Sequence, residues 1–163
     1  MMEHTFFWGY LMFFTRTEDY IQRFLLQQNI HKPNDLTIKN IASSLNIPVY
    51  YWEYSSECVY LNERCLIFLN SNRSEQEQWQ EFGHEIAHFL WHTGRQEFLP
   101  STFIELQEWQ ANYFSYHLCI PTFMLQRIKT KITPKYVMNL FNVEYDFACK
   151  RLEMYRNKWL ASI

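Results

Sequence analysis

The sequence predicts an α+β domain rich in helix, and two observations carry that prediction. Three short runs of β-branched, aromatic and aliphatic residues lie close together at 49–54, 58–61 and 64–69. They are split by the polar turns Ser-Ser-Glu and Asn-Glu, which reads as a small antiparallel three-stranded sheet. On either side the apolar residues recur every three or four positions instead, the period of amphipathic helices. A strand with such side chains must bury one face, so the sheet is expected to pack on the helix that follows it. Helical residues should outnumber strand residues by about three to one, because only this short stretch has strand character.

The elements follow in order. Residues 18–28 have helical periodicity, with Thr17 as the expected N-cap. A second short helix over 35–45 ends before Asn46 and Pro48. After the strands, Ser74 with Glu77 three residues later forms a capping-box signature for a long helix. Its apolar residues Trp79, Phe82, Ile86, Phe89 and Leu90 make one ridge. The next helix, 103–120, carries its stripe at Ile104, Ala111, Phe114 and Leu118. Beyond Pro121, helices are expected over 122–129, 134–141 and 144–157. Thr133-Pro134 supplies a cap followed by proline in the first turn.

Size and composition fit one domain over 1–163, with a helical and aromatic segment at 1–34, a core at 35–121 and C-terminal helices at 122–163. Hydrophobic residues make up 48% and aromatic residues 19%, so the core should be aromatic-rich. The formal net charge is −2 and charges are mixed along the chain, which argues against a nucleic-acid surface. Two segments, 36–48 and 136–152, have the cadence of a helix-turn-helix. The first runs straight into 49–54, read as a core strand. In the second, Lys150, Arg151 and Arg156 are countered by Glu144, Asp146 and Glu153. No direct nucleic-acid contact is expected from either. The four cysteines, at 58, 65, 119 and 149, form no C-x-x-C pair, a reduced cytoplasmic pattern in which a Cys58–Cys65 bridge is optional. The apolar run at 5–14 is too short to span a bilayer, and no Lys or Arg precedes it. It is expected to pack on the domain or on a partner, with no membrane role.

The residues richest in chemistry are His84-Glu85-Ile86-Ala87-His88. Two histidines at i and i+4 on a helix lie about 40° apart around the axis and about 6 Å apart along it. Both imidazoles can therefore reach one ion, and Glu85 can reach a water on that ion. Zn²⁺ suits such a set with one position left open, and the implied chemistry is metal-assisted hydrolysis, most often of a peptide bond. Both histidines fall nearly opposite the apolar ridge, where no core role explains them. Gly83 weakens the helix, which suggests close approach of another element.

A third ligand is needed. His92 lies about 12 Å along a continuous helix from His84, too far to share an ion held by His84 and His88. Glu108 is the best candidate, at the edge of the next helix beside the small residues Ala111 and Ser115, with Glu105 as the fallback. Asn112, one turn on, is placed to hydrogen-bond the outer nitrogen of a ligand histidine. Glu85 is the candidate general base, and Tyr113, Tyr116, His117 and His92 are all candidates to stabilise an oxyanion. The segment 64–69, directly before the long helix, is the expected edge strand for an extended substrate.

His84-Glu85-Ile86-Ala87-His88 followed by Glu108-Trp-Gln-Ala-Asn-Tyr-Phe-Ser-Tyr-His-Leu-Cys-Ile-Pro121 resembles the ImmA/IrrE family of bacterial metallopeptidases. That family's second block has the form E-x-x-A-N-x-F-A-x-x-L-L-x-P. Glu108, Ala111, Asn112, Phe114, Leu118 and Pro121 match it, while Ser115 and Cys119 replace an Ala and a Leu. The order of elements is also similar from about residue 35 to 155. The resemblance implies a zincin-like (gluzincin) fold, Zn²⁺ held by His84, His88 and Glu108, and Glu85 as general base. It implies a cytoplasmic endopeptidase that cuts a helix-turn-helix repressor of a phage or mobile element. The alternative is a metal-bearing regulatory partner, antitoxin-like, with little catalysis.

Overall fold

A computed structural model of the chain describes residues 15–61, 64–92 and 100–160. The expectation for the aromatic run at 5–14 lies outside these residues. The chain order is α1 (Arg16–Gln27), a 3₁₀ turn (Pro33–Asp35), α2 (Ile38–Ser44), β1 (Val49–Trp52), β2 (Glu57–Leu61) and β3 (Arg64–Asn70). It continues with α3 (Glu75–Trp91), α4 (Ser101–Cys119), α5 (Thr122–Leu125), α6 (Pro134–Phe141) and α7 (Tyr145–Leu160). The architecture is mixed α+β, as expected; among the described residues helix outweighs strand by about five to one, more than the three to one expected. No helix among the described residues is long and apolar enough to cross a membrane.

Helix starts follow side-chain chemistry. α3 begins at the Ser74–Glu77 capping box and α6 at Thr133 with Pro134 in its first turn. α1 begins two residues earlier than expected, at Thr15. The reason is reciprocity. The residue three after Thr15 is Glu18, whose carboxylate accepts from the Thr15 amide at 2.7 Å. The residue three after Thr17 is Tyr20, which has no such acceptor.

Helix ends show a repeated device. Glycine is scarce, three in the chain, and asparagine takes its left-handed role. Asn29, Asn46 and Asn142 have φ of 59°, 54° and 51°. After each, an apolar residue turns back into the core and its amide donates to the last helical turn: Ile30 to Leu25, Ile47 to Ala42, Val143 to Met138. All three apolar residues are buried. The turn and the core contact therefore reinforce one another at the ends of α1, α2 and α6.

The sheet corrects the antiparallel expectation. Its order is β1-β3-β2, with β1 parallel to β3 (Val49 opposite Ile67) and β2 antiparallel to it (Cys58 opposite Ile67). The turn at 53–56 reads in sequence as a hairpin, but it spans a gap that β3 later fills. It is held by the Trp52 indole donating to the Ser55 carbonyl at 2.9 Å. Ser56 Oγ accepts from the Asn70 amide at 2.9 Å, and the Ser71 amide reaches the Trp52 carbonyl at 2.7 Å. Residue runs identify strands, but not their partners.

Two further expectations change with this topology. The segment 64–69 is central, so it offers no free edge; the edge strands are β1 and β2. β1 is not a core strand either, since Tyr50 and Tyr51 are exposed at its edge. Only β3 alternates cleanly: Cys65, Ile67 and Leu69 are buried, while Phe68 faces outward and stacks with Tyr50 and Trp52. The inner face meets α3, whose ridge Trp79, Phe82 and Ile86 is buried. α4 closes the other side of α3 with Ala111, Phe114 and Leu118.

A buried ionic cluster ties α1, α5 and α7 together. Glu18 is 4% exposed and Arg151 0%. Thr122 donates its hydroxyl proton to Glu18 and accepts from Arg151 Nη2 at 2.6 Å, while Lys158 also pairs with Glu18. Burial alone would raise the Glu18 pKa, but hydrogen bonds from Lys158, Thr122 and the Thr15 amide outweigh it and hold it at about 2. A depressed carboxylate stabilises the fold above its unfolded pKa, and that stability fades as pH falls toward the folded value. Glu18→Gln is therefore expected to lower unfolding free energy at pH 7 by about 3 kcal/mol, the worth of such a shift. Urea melts of both proteins from pH 7 to 2.5 should show the gap narrowing below about pH 4.5. A gap that stays constant across that range would mean the cluster is not stabilised by the ionised carboxylate.

Candidate metal centre

The centre depends on how close α3 and α4 lie. A Cβ at Gly83 would sit 2.9 Å from Ser115 Oγ and 3.1 Å from Cys119 Sγ. Ser115 Oγ also donates to the Gln80 carbonyl at 2.7 Å, and Ala111 is fully buried. Small side chains along this seam bring the α4 backbone against α3. Gly83 thus fulfils the close approach expected of it.

That proximity brings Glu108 to the two histidines. Glu108 Oε2 lies 3.2 Å from His84 Nε2, and Oε1 lies 3.4 Å from His88 Nε2. The two Nε2 atoms are 3.0 Å apart. Among the described residues, His84, His88 and Glu108 are the one group of this kind able to hold a metal ion, with ligand atoms within 4.8 Å of one another. Glu105, the fallback, is exposed and outside the group. His92 is also outside it, as its position along the helix requires. It sits behind His88, Nδ1 to Nδ1 at 3.1 Å.

Asn112 Oδ1 lies 3.0 Å from His84 Nδ1. A carbonyl oxygen can only accept, so His84 carries its proton on Nδ1 and presents a lone pair at Nε2. Burial first, then the neighbouring His84 and His92, push the His88 pKa down to about 4 against the pull of Glu108. His88 is therefore neutral at physiological pH, the form that ligates. Lone pairs and a carboxylate converging on one point repel unless a cation or a proton is shared between them. The donor set of two imidazole nitrogens and a carboxylate oxygen fits a zinc-type ion.

Glu85 is 8% exposed and faces β2. Burial raises its pKa to about 7, with the negative charges of Glu108, Glu57 and Glu81 adding to the rise, while a hydrogen bond from the Cys58 backbone opposes it. A bound cation would pull this value back down. A cleft of about 530 Å³ opens beside His84, Glu85 and Asn112. Its lining also includes Tyr54, Ser56 and Arg73, with Glu81 one turn before His84 on α3. Ser56 donates to Glu81, which also lies 3.5 Å from Arg73 Nε. Of the four oxyanion candidates, Tyr116 lines this cleft and stacks on Phe147 at 4.3 Å. His117 is buried against the Tyr113 carbonyl at 2.8 Å, and Tyr113 stacks between Trp109 and His117.

Sequence reasoning missed Ser56, Arg73 and Gln110, whose Oε1 lies 3.0 Å from His92 Nε2. Ser56 and Arg73 face the cleft only because β2 lies across β3 from β1, and no local pattern signals that. Glu81 was visible on the histidine flank of the helix, but without a partner.

Fold and site together define a metallopeptidase-like protein: a mixed α+β scaffold carrying two histidines and a buried glutamate on one helix, beside a carboxylate on the next. The chain belongs to the Peptidase_M78 family, since the model of the IrrE N-terminal-like domain matches residues 35–153. It is similar to the phage-like element PBSX protein XkdA of Bacillus subtilis (strain 168), 34% identical over 153 residues, covering 90% of this chain and 76% of that one. It is also similar to the uncharacterized protein YqaB of the same organism, 34% identical over 145 residues, covering 86% and 84%. The family resemblance carried by the two sequence blocks is therefore correct.

The seam makes a direct prediction. Leucine is a better helix former than glycine, by somewhat less than the ~0.8–1 kcal/mol that separates glycine from alanine, so Gly83→Leu would stabilise an isolated helix. Here the side chain must displace Ser115 and Cys119, and overpacking costs about 1–3 kcal/mol or more. Chemical unfolding should find the variant less stable than the parent. A more stable variant would show that α3 and α4 do not meet at this position.

Proposed function

We propose that the protein is a zinc-dependent endopeptidase with a zincin-like (gluzincin) site, acting in the cytoplasm on a helix-turn-helix repressor of a phage or mobile element. The convergence of His84, His88 and Glu108 within hydrogen-bonding range of one another is the observation that carries the catalytic part. His84 Nε2, His88 Nε2 and a Glu108 oxygen would hold the ion. Bound there, zinc would supply Lewis acidity toward a peptide carbonyl and acidify a water. Glu85 would take the proton from that water on its carboxylate and deliver it to the departing amine nitrogen. Its burial against β2, one residue from His84, suits a group that must both accept and release a proton beside the ion. Tyr116, facing the cleft, is the favoured donor to the developing oxyanion.

The substrate part rests on a relative and on a sheet edge. One relative is named as a protein of a phage-like element, which favours a mobile-element setting for this chain as well. The β2 edge, Glu57–Leu61, lies beside Glu85 and could pair with an extended segment through its backbone. Backbone pairing is tolerant of sequence, so selectivity would come from docking of a folded partner.

Two experiments test the reading separately. Metal analysis of purified protein should find about one zinc per chain, lost in His88→Ala and kept in Glu85→Gln. Retention in His88→Ala would remove that residue from the site. With cleavage followed by mass spectrometry, Glu85→Gln should be slower by roughly 10²–10⁴-fold, the usual worth of general-base work. The repressor encoded beside the gene should be cut at one site while casein stays intact. Multi-site digestion of casein with the repressor intact would indicate a degradative peptidase. Bound zinc with no cleavage of either would favour the regulatory, non-catalytic alternative.

A further inference from the structure

We infer that His92 is a positioning residue for the metal centre, which with Gln110 fixes His88 in the one tautomer able to ligate. The inference rests on the proposed metal site and is independent of the peptidase reading.

His92 caps the C-terminal end of α3, and its amide donates to the His88 carbonyl at 3.1 Å. It is 7% exposed. Its two ring nitrogens both have partners. Nε2 lies 3.0 Å from Gln110 Oε1, and Nδ1 lies 3.1 Å from His88 Nδ1. The protons along this chain follow in sequence. Gln110 Oε1 can only accept, so His92 Nε2 carries hydrogen. A neutral imidazole has one N–H, so His92 Nδ1 is then an acceptor. His88 Nδ1 faces that acceptor and must be the donor. His88 Nε2 is left with a lone pair, and it points to His84 Nε2 and Glu108. Reversing any one bond would put a proton on His88 Nε2 and block ligation.

The arrangement matches Asn112 behind His84, but with a longer reach. Both histidines thus have their ligating nitrogens selected from behind. Histidine ligands usually donate to a carboxylate, a carbonyl or water; here the acceptor is a second histidine whose own tautomer is set by an amide on α4. This gives α4 two holds on the centre. Glu108 acts directly, and Gln110 acts through His92.

The test measures zinc affinity by competition with a chromophoric chelator, using the full chain. His92→Leu keeps bulk but has no acceptor, and is expected to bind zinc about 10–100-fold more weakly. His92→Asn places an amide oxygen near the former Nδ1 and should bind within about threefold of the parent, far closer than the leucine variant. Gln110→Leu should weaken binding in the parent and add nothing in the His92→Leu background, because it acts through His92. Nitrogen-15 spectra of the parent protein with zinc should show protons on His88 Nδ1 and His92 Nε2. Unchanged affinity in His92→Leu, equal losses in the asparagine and leucine variants, or a proton on His92 Nδ1 would each overturn the inference. The parent-protein spectra stand even where a variant fails to fold. A parent that binds no zinc would overturn the metal site itself and this inference with it. A zinc-binding parent with an indifferent His92 overturns this inference alone.

Discussion

Contact between α3 and α4 at Gly83 is the constraint on which the rest of the structure depends. A helix pair with ordinary side chains at its seam keeps its axes about 8–10 Å apart, at a distance set by those side chains. Glycine facing Ser115 and Cys119 removes a layer of atoms there. The gain is reach. A glutamate is a short arm, and Glu108 meets both histidines only because its helix has been brought in. The cost is an unfavourable residue in the middle of α3, offset by the buried Phe82, Ile86, Phe114 and Leu118 around it.

Burial on either side of α3 shapes the electrostatics. α4 covers His88 and β2 covers Glu85, and desolvation is the largest influence on both. It pushes them in opposite directions, lowering the imidazole and raising the carboxylic acid, because in each it disfavours charge. A neutral base suited to ligation and an acid poised near neutrality thus arise from one cause. On the far side of α4, the Glu18–Thr122–Arg151 cluster holds the turn after the helix, with Arg151 Nε on the Ile120 carbonyl at 3.1 Å. α4 is therefore secured at its C-terminal end while its middle presents Glu108.

What was legible in the sequence was what short range determines. The capping box at Ser74, the cap and proline at Thr133-Pro134, the strand runs and the i, i+4 histidines all depend on neighbours within a turn. Asn112 and Gly83 were legible too, Asn112 because it lies one turn from Glu108 on the same flank, Gly83 because a helix-weakening residue in mid-helix signals a close neighbour. Partner choice was not legible. Nothing in 49–70 distinguishes a meander from a sheet whose last strand inserts between the first two, since each strand has the same composition in either arrangement. Ser56 and Arg73 inherit their places from that topology, so they stayed hidden with it. The N-cap of α1 was misplaced for a different reason. Thr15 and Thr17 are both acceptable caps, and only the reciprocal bond from Glu18 decides between them.

The insertion of β3 also bears on how the molecule comes together. β1 and β2 precede β3 in the chain, yet in the folded sheet each is bonded to β3 and a strand's width separates them. Until residues 64–70 arrive, both hold unpaired backbone. The β2–β3 pair closes over a short loop and so carries little entropic cost, while β1 must wait for the longer closure. The stretch 53–56, pinned by Trp52, Ser56 and Ser71, spans the width of β3 between the two edge strands. Since α3 needs the inner face of β3 to cover its ridge, the helix bearing the histidines acquires its sheet support only when the last strand is in place. The histidine-bearing helix and the central strand are thus one packing unit, and a defect in 64–70 would reach the centre through α3.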